Sequence, residues 1–290
     1  MMHLSDYILH KDLILLDGAM GTQLASSGLQ MGGQNNLANP QEVQSIHLRY
    51  AQCGSHILTT NTLTMNRIYI ETHNLNISVR EVNLAGAKLA KSAAGSRHYV
   101  LGDIGCTGKL LEPYGDLAEA DAYETFKEQA SVLAEGGVDG FILETMIDLR
   151  EALLAVRACQ RIASIPIIAS MSFENSKNGA HTIMGNSVSA CAENLTDAGV
   201  FAVGANCGNL DPVQMASIVS EFRRATSLPI LAMPNAGMPK LVGRCTIFDM
   251  TPSDFAAGLA ECIKAGAHLV GGCCGTTPEH ISAIKDLSGI

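Results

Sequence analysis

Two hydrophobic patterns alternate along this chain. The first is a short apolar run that ends in a polar or glycine-rich exit. It occurs at 13–17, 56–60, 99–101, 140–143, 166–171, 200–203, 229–232 and 269–270, and it predicts eight strands. The second repeats every three to four residues. Leu149, Ala152, Leu153 and Val156 fall on one helical face, while Arg150, Arg157 and Arg161 fall on another. Turn chemistry marks the helix boundaries. Asn39-Pro40 opens one helix, and Gly136-Gly137 and Gly199 close two others. Thr251 to Asp254 reads as a capping box ahead of the apolar face Phe255, Leu259, Cys262 and Ile263. Thr277 is the expected N-cap of a last helix, with Pro278 in its first position.

Strand runs apolar on both faces suit a parallel sheet covered by helices. Eight strand–helix units without a low-complexity linker predict one α/β domain over residues 1–290, a (β/α)8 TIM barrel. An open doubly wound sheet is the alternative. The absence of a Gly-x-Gly-x-x-Gly turn after the first strand counts against it.

Composition excludes several classes of partner. The net charge is −9, no lysine/arginine run occurs, and aromatic residues make up 4% with no tryptophan, so neither nucleic acid nor an anionic membrane is an expected partner. No apolar run approaches the ~18 residues of a membrane helix. Asp6, His10, Lys11 and Asp12 interrupt the N-terminal apolar residues, which argues against a secretory signal. Nine cysteines without such a signal suit a reducing compartment, and a cytoplasmic location is expected. Oligomeric state is not legible.

In a parallel barrel the strand exits gather on one rim, where chemistry is done. That rim would collect Asp17, Asn61, Asp103, Glu144, Ser172, Cys207, Asn235, Cys273 and Cys274. Three cysteines converging there fit a zinc site with one open position. A structural zinc would want a fourth cysteine or histidine close in the chain, and no Cys-x-x-Cys knuckle is present. Bland readings compete. Adjacent thiols can simply pack, and strand-end acids can be exposed loop residues. Cys53, Cys159, Cys191 and Cys262 lie in predicted helices and read as packing residues, whereas Cys106 lies near the rim.

The stretches Asp17-Gly-Ala-Met-Gly-Thr22, Thr60-Asn-Thr62, Gly102-Asp-Ile-Gly105, Glu144-Thr145, Asn206-Cys207, Pro234-Asn-Ala-Gly237 and Gly271-Gly-Cys-Cys-Gly-Thr-Thr-Pro278 cover nearly the whole chain. In this order they resemble the zinc-dependent homocysteine S-methyltransferase family. The last two are most similar to the homocysteine-binding module of cobalamin-dependent methionine synthase. The resemblance implies Zn2+ held by Cys207, Cys273 and Cys274, with Asn235 in the fourth position until substrate arrives. It further implies that Asp17 and Glu144 hold the homocysteine ammonium, that amides of the Gly18 turn receive its carboxylate, and that Asn61 contributes to the substrate site. Cys106 departs from the family, which commonly has proline there.

The methyl donor is less determined. No Asp-x-His-x-x-Gly cobalamin motif occurs, and one barrel has no room for a corrinoid or folate domain. The leading expectation is a free-standing enzyme that docks a separate protein carrying methylcobalamin. Family members using S-methylmethionine often carry arginine after the paired cysteines, where this chain has Gly275. A small donor (S-methylmethionine, S-adenosylmethionine or a betaine) is the alternative. A non-catalytic zinc subunit of a corrinoid methyltransferase complex, and an aldolase-like barrel, complete the field. The aldolase reading requires a strand-end lysine, and none is present among the exits.

Overall fold

The computed structural model describes residues 2–176, 179–243 and 245–288. Its strands are β1 (Ile14–Leu15), β2 (Ile57–Thr59), β3 (Tyr99–Ile104), β4 (Gly140–Met146), β5 (Ile167–Met171), β6 (Glu174–Ser176), β7 (Gly179–His181), β8 (Ala202–Asn206), β9 (Ile230–Met233), β10 (Lys240–Val242), β11 (Cys245–Ile247) and β12 (Leu269–Val270). Eight of these form one parallel sheet in the order β1-β12-β9-β8-β5-β4-β3-β2. A parallel bridge from Leu16 to Ile57 joins its two ends, supported by hydrogen bonds from His56 N to Leu15 O (2.7 Å) and from Asp17 N to Ile57 O (3.1 Å). The (β/α)8 barrel is therefore as expected, with all eight strands within a few residues of the apolar runs.

The helices are α1 (Leu4–His10), α2 (Gly21–Ser26), α3 (Asn35–Ala38), α4 (Pro40–Gln52), α5 (Arg67–Thr72), α6 (Val79–Ala94), α7 (Glu119–Glu135), α8 (Leu149–Ile162), α9 (Val188–Asp197), α10 (Pro212–Ala225), α11 (Pro252–Lys264) and α12 (Pro278–Ser288). Alternation along each strand sorts side chains into two cores. Ile14, Leu16, Ile57, Leu101, Ile142, Ile168, Leu231 and Leu269 fill the barrel interior, together with Leu4 and Ile8 of α1, which plugs it from below. The opposite parity, including Val100, Phe141, Leu143, Ala169 and Val203, packs outward against the helices. With its lower end plugged, the barrel offers its chemistry only at the upper rim.

Helix boundaries follow the turn signals with three differences. Asn39 precedes α4, but its amide donates to Asn35 Oδ1 and makes no cap; Pro40 starts the helix. Thr251 caps α11 by accepting from Asp254 N, yet the Asp254 carboxylate takes the Thr251 hydroxyl and does not return to the cap backbone, so half of the box forms. At α12 the reciprocal partner is His280, whose Nδ1 accepts from Thr277 N at 3.2 Å and whose Nε2 lies 3.0 Å from Met250 O. Two short ribbons, β6–β7 and β10–β11, add to the barrel beyond what periodicity predicts.

His47 of α4 is fully buried with neither ring nitrogen hydrogen-bonded. Burial penalises its charged form and pulls its pKa down to about 4 from an ordinary 6.5. Its stabilising contribution is then complete above pH 6.5 and is lost as pH falls towards 4, because the unfolded chain takes up the proton first. At roughly 1.4 kcal/mol per pKa unit, the loss reaches about 3 kcal/mol. His47→Leu is expected to raise the melting temperature, with a gap over the parent that widens from pH 7 to pH 4.5; a gap independent of pH would show that His47 does not titrate as described.

Candidate active site

The turns after β1 and β12 meet at the seam of the barrel and build one wall of the rim. Gly272 N donates to Asp17 O (3.1 Å), Ala19 N to Thr276 Oγ1 (2.9 Å) and Gly275 N to Thr22 Oγ1 (3.1 Å). Tyr50, buried on α4, donates to Ala19 O (2.9 Å) beneath them. Gly18 leaves no room for a side chain, since a Cβ there would come within 2.6 Å of Thr276 Oγ1.

This wall presents Cys273 and Cys274, and Cys207 follows the end of β8 opposite. The three sulfurs all lie within 4.8 Å of one another, which brings together the three cysteines singled out from the sequence. Backbone hydrogen bonds fix the cluster: Cys207 N to Met233 O (3.3 Å), Cys273 N to Pro234 O (2.8 Å), and Ala236 N to Cys274 O (2.9 Å). Cys207 adopts a left-handed φ of 58°, a conformation that costs a non-glycine residue about 1–3 kcal/mol and persists only when its surroundings demand it. Hydrogen bonds from Cys273 and Cys274 pull the Cys207 thiol down to about 3, while the same bonds push Cys273 well up and Cys274 up to about 12. Three sulfurs this close share protons that a cation can displace. Asn235 adjoins the cluster. Its Nδ2 donates to Gly208 O (2.8 Å), and its buried Oδ1 has no hydrogen-bond partner.

Gly275 follows the cysteines with φ 82°, and a Cβ there would come within 2.3 Å of the Phe248 side chain. Gly275→Ala is expected to strain the turn by about 1–3 kcal/mol. That corresponds to a fall in melting temperature of several degrees, at roughly 2–4 °C per kcal/mol for a chain of this size class. An unchanged melting curve would contradict the crowding.

Beside the sulfurs lies a cavity of about 280 Å3, lined by Asp17, the Gly18–Thr22 turn, Asn61, Asp103, Glu144, Met233, Cys273 and Cys274 among others. Asp17 is 3% exposed, and its Oδ2 accepts from Thr59 N at 2.8 Å. Burial raises it to about 7. Glu144, raised to about 8 first by burial and then by the charges of Asp17 and Cys207, has a buried Oε2 with no partner. Asp103 is 4% exposed, its Oδ1 is likewise unpartnered, and burial together with Glu144 and Asp17 lifts it well above the carboxylate range. The buried carboxyls of Asp17 and Asp103 and the half-buried Glu144 around one cavity, short of hydrogen-bond donors, can receive a cation.

Asn61 also lines the cavity, but its Nδ2 is committed to Asn36 Oδ1 (3.1 Å) and Gly32 O (3.4 Å), which ties the segment from the α2–α3 connection into α3 to the exit of β2. Cys106 is half-buried and packs at the edge of the outer core, and it does not line the cavity. Cys159, Cys191 and Cys262 are buried in helices, and Cys53 is half-buried at the end of α4, as expected for packing residues. One residue already expected on the rim gains a role, and one contributor goes beyond the sequence expectation. Asp103 joins the acid set because it shares inward parity with Tyr99 and Leu101. Asn206 turns its amide inward at the last position of β8, on the parity of Ala202.

Comparison with known proteins places these features in a family. Residues 14–288 match the family described as homocysteine S-methyltransferase. The chain is 30% identical to the methionine synthase of Mycobacterium tuberculosis over 96% of its own length, and 29% identical to that of Mycobacterium leprae over 92%. It spans about a quarter of the length of those relatives (25% and 24%). The metallated form of the homocysteine methyltransferase MmuM from Escherichia coli superposes with a TM-score of 0.81 at 21% identity, covering 97% of this chain and 98% of that one. The carboxyl transferase domain (Y628A) of Rhizobium etli pyruvate carboxylase shares the fold more distantly, with a TM-score of 0.60 at 15% identity over 98% of this chain and 45% of that one. With the family match running almost from end to end, the chain belongs to the homocysteine S-methyltransferase family.

Proposed function

We propose that this chain is a zinc-dependent S-methyltransferase that converts homocysteine to methionine, with the methyl group brought by a separate methyl-corrinoid protein. The observation that carries the reading is the meeting of Cys207, Cys273 and Cys274 within 4.8 Å, beside a cavity of buried, donor-poor carboxyls.

The residues fit a zinc ion. Three thiolates are the soft ligands zinc favours, and a set of three cysteines leaves one position open. The unpartnered Oδ1 of Asn235 is the neutral oxygen suited to that position before substrate binds. Zinc, when bound, supplies a positive charge that favours the thiolate form of an incoming thiol at neutral pH, where a free thiol with pKa ~8.5 is mostly protonated.

The remaining work falls to the chain. Asp17 and Glu144 receive the substrate ammonium, with Asp103 adding a third carboxyl behind them. Ala19 N–H is already taken by Thr276 Oγ1, so the substrate carboxylate falls to the other amides of the Gly18 turn. Asn61 holds the α2–α3 segment, whose Gly32 also lines the cavity, against the β2 exit. With the amino-acid end fixed, the sulfur faces the open mouth for an in-line displacement, in which orientation supplies most of the rate advantage. A cavity of about 280 Å3 lies at the lower end of ligand pockets, which suits an amino acid and leaves a corrinoid ring outside. A macromolecular donor would thus present its methyl group from the rim. The crowding of Gly275 by Phe248 leaves no space for an arginine at that position.

The three-carboxyl cluster favours one second reading, a small cationic donor such as a sulfonium or a betaine. Zinc-loaded protein assayed with homocysteine and S-methylmethionine, S-adenosylmethionine, betaine or a methylated corrinoid protein separates the two. Methionine from the corrinoid protein alone is the expected result. Turnover with a small donor overturns that part, and no turnover with any donor despite homocysteine binding identifies a zinc scaffold. Among the described residues no helix is long and apolar enough to cross a membrane, and the eight cysteines with described side chains are free thiols. Free thiols in this number fit operation in a reducing compartment such as the cytoplasm.

A further inference from the structure

Asn206 is fully buried on the last position of β8, and its side-chain amide is saturated. Its Oδ1 accepts from Thr145 N (2.8 Å) and from Ser170 Oγ (2.7 Å). Its Nδ2 donates to Thr145 Oγ1 (2.8 Å) and lies 3.8 Å from Cys273 Sγ, within hydrogen-bond range for sulfur. The amide orientation is the one that satisfies all four partners: a backbone N–H and a hydroxyl on the oxygen, a hydroxyl and a sulfur on the nitrogen.

These contacts join the two halves of the site. Thr145 has a left-handed φ of 57°, and the β4–β5 register shifts between Leu143 and Met146, so Glu144 and Thr145 form a local bulge. Such a backbone is held open only by surrounding restraints, and Asn206 supplies two of them to the one residue that follows Glu144. The same side chain touches Cys273, and the residue after it is Cys207.

We infer that Asn206 is a positioning residue that couples the sulfur cluster to the acid that binds the substrate amine. One N–H tempers the charge on the Cys273 thiolate, and the rest of the amide fixes the bulge that aims Glu144. Outer partners of metal ligands typically change affinity by about 10–100-fold when removed. The inference rests on the reading that the three sulfurs hold a metal.

The test uses the full chain loaded with Zn2+ or Co2+. Asn206→Asp keeps the shape and the acceptor for Thr145 N but has no N–H for sulfur, and Asn206→Ser removes it with a smaller side chain if the added charge prevents folding. Zinc affinity by chelator competition is expected to fall at least about tenfold in either variant. The sulfur-to-cobalt charge-transfer band of the Co2+ form should shift. Ser170→Ala, which removes one donor to Asn206 and leaves the sulfur contact, should keep zinc affinity within about twofold of the parent. Thr145→Val should leave zinc affinity similarly intact while raising the homocysteine KM. Parent-like affinity and an unshifted band in both Asn206 variants would overturn the inference with the metal reading intact. A parent protein that binds neither metal would instead overturn the metal reading itself.

Discussion

Replacing Cys207 by alanine is expected to empty the site of metal and abolish methyl transfer. The residue contributes one of three sulfurs, and its removal leaves two, on neighbouring positions of a single turn. A vicinal pair spans one edge of a tetrahedron and cannot enclose an ion. Loss of an outer-shell partner costs up to about 100-fold in affinity or activity, so loss of a ligand should exceed that. Purified Cys207→Ala should therefore carry far less than stoichiometric zinc and show no detectable methionine formation, while still folding. Folding is expected to survive because the site is supported by backbone hydrogen bonds across β8, β9 and the β12 turn that do not involve the thiol. Stoichiometric zinc in this variant would place the metal elsewhere.

The second large effect concerns Glu144. Its carboxyl is buried with Oε2 unpartnered, next to Asp17 and Asp103, which is costly unless a cation arrives. Glu144→Gln preserves shape and removes the charge. Losing one partner of a buried charge pair costs about 2–5 kcal/mol, or roughly 30-fold to 3000-fold in homocysteine binding at 1.4 kcal/mol per decade. Stability should move the other way. The folded pKa, about 8, lies above the ordinary value of 4.5, so the group favours folding fully below 4.5 and that contribution is lost as pH rises through 8. Glutamine never ionises. The variant should therefore melt higher than the parent, with a difference that grows from pH 5 to pH 8. Calorimetry across that range, beside a homocysteine titration, checks both signs. Unchanged binding would remove Glu144 from the substrate site.

The trade is a common one, since a receptor for a charged group is a destabilising feature until the group is bound. Here it is concentrated in three carboxyls at the ends of β1, β3 and β4. The interior below them is filled largely by apolar side chains and plugged by α1.

Much of this was legible in the chain because a covered parallel barrel imposes a simple code. Strands buried on both faces must be apolar throughout, which made runs such as 140–143 and 166–171 visible, and their exits gathered Cys207, Cys273, Cys274, Asp17 and Glu144 on one rim. What periodicity missed has physical reasons. The ribbons β6–β7 and β10–β11 are two-stranded and lie outside the barrel sheet, so they carry no buried stripe that a pattern could reveal. Asn39 looked like a cap, yet Asn35 lay within reach and took its amide. Asp103 and Asn206 were placed at strand exits, whereas β3 and β8 run on to include them, and their roles depend on which neighbouring strand ends face them. Inward parity with Leu101 and Ala202 was the available signal.

The most direct test of the central claim is X-ray absorption at the zinc edge on the purified protein, before and after addition of homocysteine. About one zinc per chain is expected, with three sulfur neighbours at about 2.3 Å and one lighter atom, changing to four sulfurs when the thiol is added. Zinc without three sulfur neighbours, or an unchanged shell on adding homocysteine, would contradict the claim.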